Sequence, residues 1–107
     1  MYKEIKKFFD EIDTNNFSSV RTQNCLVRYT TDNPNYNFED TTAITVNISN
    51  RDYYTVELNE LDEKKYYTTF SSSWQQFYFD EDNRCLRIIG SGNYKKFKNY
   101  RVVIFII

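Results

Sequence analysis

The apolar positions along this chain change their period once, near residue 20. Before that point Ile5, Phe8, Phe9 and Ile12 fall at i, i+3, i+4 and i+7, with Lys3, Lys6, Lys7, Asp10 and Glu11 filling the remainder. That spacing predicts an amphipathic helix over residues 2–12, ending in the turn-favouring run Asp13-Thr14-Asn15-Asn16. So short a helix is marginal alone, so its apolar stripe is expected to lie on a sheet. From Val20 onward the period is two: Ile44, Val46 and Ile48 alternate with Thr45, Asn47 and Ser49, and Tyr54, Val56 and Leu58 alternate with Thr55 and Glu57. These two runs flank Asn50-Arg51-Asp52 and predict an antiparallel hairpin. Further strands are expected over 20–31, 65–71, 74–80, 84–89 and 99–107. Asp80-Glu81-Asp82-Asn83 reads as a second hairpin tip and Gly90-Ser91-Gly92-Asn93 as the next turn. The stretch 32–40 around Pro34 reads as a loop. Links this short leave no room for helical crossovers, so the pairing is expected to be antiparallel.

The last strand sends Tyr100, Val102, Ile104 and Ile106 to one face and Val103, Phe105 and Ile107 to the other, the mark of a strand covered on both sides. One helix covers one face of a sheet. The other needs a second sheet, a strong curl into a barrel, or another chain, a homodimer through the sheet being one form of that. The expected fold is therefore α+β, an N-terminal amphipathic helix packed on a curved antiparallel sheet of about five to seven strands, in a single domain over residues 1–107.

Composition adds mainly exclusions. With 107 residues, 40% hydrophobic, 27% charged, and only two Gly and one Pro, the chain has the profile of a folded globule. A formal charge of −1 excludes a globally basic nucleic-acid binder and a strongly acidic mimic of DNA. The start, Met1-Tyr2-Lys3-Glu4-Ile5-Lys6-Lys7, has no apolar signal core, and the run Val102 to Ile107 falls far short of the roughly 20 residues that span a bilayer. A cytoplasmic protein away from membranes is expected. The chain has no histidine, which removes the commonest general base and both the Ser-His-Asp and Cys-His arrangements. Cys25 and Cys85 have neither zinc spacing nor a histidine to join them, and read as small core residues on strands. Gly90-Ser91-Gly92 is too short for a phosphate loop. Two carboxylate groups, Asp80, Glu81 and Asp82, and Glu57, Glu60, Asp62 and Glu63, leave a carboxylate-dependent enzyme as an alternative, although neither has EF-hand spacing. No enzyme activity, metal or cofactor is expected.

The aromatic content, 19% with ten Tyr and nine Phe, changes the picture most. A and T rich codons account for part of it. The rest is chemically informative, since Tyr and Trp supply contact area at low entropy cost where one protein recognises another. Tyr53, Tyr54, Tyr66, Tyr67 and Trp74, with Ser71, Ser72 and Ser73 nearby, form the candidate partner-binding surface; a host or defence-system protein is the expected partner. A second constellation, Tyr94, Lys95, Lys96, Phe97, Lys98, Tyr100 and Arg101, interleaves cations and rings as a single-stranded nucleic-acid surface does. Its competing reading is a strand whose rings face the core and whose lysines keep it soluble. In profile, though through no motif, the chain resembles the small inhibitors carried by phages and mobile elements, anti-CRISPR and other anti-defence proteins among them. That resemblance implies a non-enzymatic protein that occludes a partner's surface.

Overall fold

The structure is a computed structural model and describes residues 19–50, 53–92 and 96–106. Seven strands, β1 (Ser19–Thr31), β2 (Phe38–Asn50), β3 (Tyr53–Leu58), β4 (Thr69–Ser71), β5 (Gln76–Asp80), β6 (Cys85–Ser91) and β7 (Asn99–Ile106), form one sheet in the order β4-β3-β2-β1-β7-β6-β5. Every neighbouring pair is antiparallel.

The registers follow from the apolar alternation. In the β2–β3 hairpin Ile44 meets Leu58, Val46 meets Val56 and Ile48 meets Tyr54, so each cross-strand pair buries apolar surface on the same face. A one-residue irregularity between Ile48 and Asn50 absorbs the turn. The β5–β6 hairpin pairs Phe77 with Ile88 and Phe79 with Leu86, and its tip closes through Arg84, whose φ of 52° lies in the left-handed region.

Topology then forces curvature. Strands β4 and β5 are consecutive in sequence yet occupy opposite edges of the sheet, joined by residues 72–75 alone. In a flat sheet those edges would stand about 29 Å apart, six spacings of about 4.8 Å. The chain from Ser71 to Gln76 reaches at most about 17 Å, so the sheet must coil into a half-barrel. Across the resulting seam the Tyr54 ring of β3 meets the Phe77 ring of β5 edge-on, centroids 5.1 Å apart.

The inner face carries the core: Val27 and Tyr29 from β1, Ile44, Val46 and Ile48 from β2, Val56 and Leu58 from β3, Phe70 from β4, Ile88 from β6, and Tyr100, Val102 and Ile104 from β7. One end of the half-barrel is aromatic, where Tyr29 lies among Phe38, Tyr66, Phe97 and Tyr100. On the outer face Val103 is buried between its cross-strand neighbours Arg28 and Arg87, and the Arg28 guanidinium stands 5.4 Å from the centre of the Phe105 ring.

The expected α+β class is corrected by this arrangement. Among the described residues the helical structure is the three-residue 3-10 turn Pro34–Tyr36, and the inner face is closed by the sheet's own curl and by rings from the loops, with no helix packed on it. The helix expected over residues 2–12 lies outside the described residues. Of the covers that the two-faced last strand called for, the curl is the one present, and it closes the inner face. Other boundaries shift as well. The strand expected over 65–71 contracts to β4 because Lys65 and Tyr66 donate their backbone N–H groups to the Asp62 carbonyl in a turn, and the loop expected over 32–40 ends early because Phe38 already pairs with Tyr29. The expected turn Gly90-Ser91-Gly92-Asn93 is displaced too, since Gly90 and Ser91 belong to β6. No helix among the described residues is long and apolar enough to cross a membrane.

Candidate functional site

Residues 72–75, the short link that closes the half-barrel, carry Trp74, which is 84% exposed. A residue so apolar is seldom left this open, and the backbone N–H groups of the turn beneath it are all hydrogen-bonded. The N–H groups of Trp74 and Gln75 both donate to the Ser71 carbonyl, at 3.0 and 2.9 Å. The Ser71 N–H donates to Gln75 Oε1 at 2.6 Å, and the Ser73 N–H to Ser71 Oγ at 3.1 Å. Gln75 then reaches inward, its Nε2 donating to the Tyr100 hydroxyl at 2.9 Å, so the turn is tied to the aromatic interior. On the other side the Ser72 N–H donates to the Tyr54 carbonyl at 3.0 Å and the Tyr54 N–H to Ser72 Oγ at 3.1 Å. Trp74 is thus presented on a backbone held from both sides.

The five partner-binding candidates separate. Tyr53, at 38% exposure, and Trp74 lie at the surface. Tyr54 is half-buried against Phe77, and burial pushes its hydroxyl pKa up. Tyr66 and Tyr67 lie on the loop before β4 and turn into the aromatic end: Tyr66 packs edge-on against Tyr29 and Phe38, both at 5.1 Å, and Tyr67 stacks on Tyr100. Alternation along a strand does not apply to that pair, because residues 66 and 67 precede β4. An exposed ring that sequence reasoning missed is Tyr78 on β5, at 45%. The signal was available, since Phe77 and Phe79 pack on the core and Tyr78 between them must point outward.

The basic-aromatic segment also divides. Phe97 and Tyr100 are buried in the core, with Phe97 edge-on to Tyr29 and Tyr67, while Lys96, Lys98 and Arg101 are exposed. The Lys96 ammonium lies over the Tyr36 ring at 5.4 Å. Stacking of bases on Phe97 or Tyr100 would require those rings to leave the interior. Tyr94 and Lys95 lie outside the described residues. Asp32 caps the same segment, accepting from the backbone N–H groups of Lys98 and Asn99.

Of the candidate carboxylates, Asp80 and Asp62 are engaged within their own turns. Asp80 Oδ2 accepts from Arg87 Nε at 2.9 Å and from Asn83 Nδ2 at 2.8 Å, and the hydrogen bonds from Asn83 and then Arg87 hold its carboxyl down at about 2. Asp62 Oδ1 accepts from the Lys64 N–H. Among the described residues no three His, Cys, Asp or Glu side chains converge to hold a metal ion. Cys25 in the core of the inner face, on β1, and Cys85, on the outer face of β6, are buried free thiols on opposite sides of the sheet. Their geometry excludes a disulfide between them. No family model, curated protein or solved structure matches the chain.

Proposed function

We propose that this chain is a non-enzymatic protein-binding module that occupies a partner's surface, with Trp74 as the anchoring side chain and Tyr53 as an accessory contact. The observation that carries this reading is an indole 84% exposed on a turn whose backbone is hydrogen-bonded to Tyr54 on one side and, through Gln75, to Tyr100 on the other. A large ring presented in a fixed position loses little freedom on binding, which is why Trp and Tyr dominate the energetics of interfaces. The small size, the absence of histidine and the aromatic surface together support a role as an anti-defence inhibitor of the kind phages and mobile elements carry, acting on a host or defence-system protein by occlusion. The test is affinity capture from the native host with the parent chain and with Trp74→Ala, followed by purification of the captured protein and calorimetry. A stoichiometric complex that weakens on the order of 30-fold or more in the variant, the scale of an interface hot spot, is expected. Equal affinities for the two chains would remove Trp74 as the anchor.

A further inference from the structure

The inner face of β2 carries Phe38, Thr42, Ile44, Val46 and Ile48, and among them one carboxylate, Asp40. Beside it the loop after β3 brings Glu60 and Leu61 over the sheet, and the space between them is a cavity of about 110 Å³ with Val27, Phe38, Leu58 and Leu61 as its apolar walls. Asp40 and Glu60, both exposed, are among the residues that line this cavity. Glu60 has no hydrogen-bonding or ionic partner among the described residues, and Asp40 accepts only from the N–H of its neighbour Thr41.

We propose that this cavity receives the side chain of a lysine of the partner protein, an inference that rests on the protein-binding reading above. The volume is that of roughly three to four waters and below the about 150 Å³ that accommodates a benzene ring, so the occupant is a slender chain. Apolar walls fit four methylenes, and carboxylates contributed by two elements fit a compact charge with three donors. The planar fork of arginine matches one carboxylate bidentately; an ammonium bridges two. A lysine lays its stem along apolar surface while its head stays at the wet rim, the division this cavity has.

The probe is Nα-acetyl-lysine N-methylamide, titrated into the ¹⁵N-labelled protein and followed by NMR, with the norleucine analogue as the same stem without its charge. Saturable shifts confined to residues 40–42 and 58–61 are expected, with norleucine weaker by about tenfold. Asp40→Asn and Glu60→Gln, both at exposed positions, are each expected to weaken the lysine probe several-fold and leave the remaining spectrum in place. Absence of saturable shifts, or equal binding of norleucine, would overturn the assignment. Lysine binding that persists when the parent chain and Trp74→Ala capture no partner would overturn the protein-binding reading, whereas a Trp74-dependent complex without lysine binding would overturn the cavity assignment alone.

Discussion

Tyr67 stacks on Tyr100 with ring centroids 4.9 Å apart and planes at 28°, and each of these rings lies against one of the chain's two glycines. A Cβ at Gly90 would fall inside the Tyr100 hydroxyl and ring edge, and one at Gly92 inside the Tyr67 hydroxyl. Neither glycine has a positive φ, so both are needed for close approach and not for a bend. Gly90→Ala is expected to destabilise the fold by about 1–3 kcal/mol, because the buried Tyr100 ring has nowhere to move. Gly92→Ala is expected to cost less, since Tyr67 is only half-buried and its hydroxyl end can swing. Urea unfolding of the two variants checks the order; equal stability of Gly90→Ala and the parent would contradict the packing described.

The bond from Gln75 Nε2 to the Tyr100 hydroxyl joins the closing turn to β7 across the interior. Tyr100→Phe removes it and leaves the ring, so a loss of about 1 kcal/mol is expected, with more if the amide stays unpaired. Faster amide exchange at residues 72–75 should accompany it, because the turn loses its inward tether. Exchange unchanged there would show that the turn is held by Ser71 and Tyr54 alone.

Acid stability carries the signature of Asp80. Its carboxyl is held at about 2 against an ordinary 3.8 by hydrogen bonds from Asn83 and Arg87. A depressed folded-state value means that the stabilisation is complete above pH 3.8 and is lost as the pH falls toward 2. Asp80→Asn is therefore expected to lower stability at pH 7 and to flatten the acid limb of the stability profile in that window. An unchanged slope between pH 4 and 2 would contradict the assignment.

Both thiols are expected to be inert in the folded protein. Burial pushes Cys25 from 9.0 up to about 12, and burial also raises Cys85. At pH 8 a disulfide reagent should titrate neither thiol in the native state and both in denaturant. The same shift predicts the alkaline side: a thiol held protonated in the fold contributes stability below pH 9.0 that declines as the pH rises toward 12. Rapid native-state labelling at Cys25 would place it outside the core.

Much of the sheet is legible in the alternation of particular residues. Ile44, Val46 and Ile48 against Tyr54, Val56 and Leu58 define the β2–β3 hairpin and its register, and the two-faced pattern of β7 belongs to a central strand whose inner face lies in the core and whose outer Val103 is buried beside Arg28 and Arg87. The curved sheet of five to seven strands that the two-faced last strand called for is present, but the strand order was not legible, because which strands become edges depends on the long-range pairing of β1 with β7 that no local pattern encodes. Aromatic residues were the hardest to place. Tyr66 and Tyr67 resemble a strand pair in sequence, yet the turn at Asp62 makes them loop residues that fill the end of the half-barrel. Phe97 and Tyr100 admitted two readings, a stacking surface or rings facing the core, and they are core. Trp74 was one member of the candidate partner surface, but its exposure belongs to the hydrogen-bonded turn that carries it.

Because Trp74 is the chain's one tryptophan, its fluorescence reports directly on the proposed anchor. Free in solution the protein should emit at the long wavelength of a hydrated indole, with ready quenching by iodide. Titration with the purified captured partner is expected to shift that emission to the blue and to protect it from iodide at one-to-one stoichiometry. Emission and quenching that stay unchanged while the complex forms would contradict a partner surface built around Trp74.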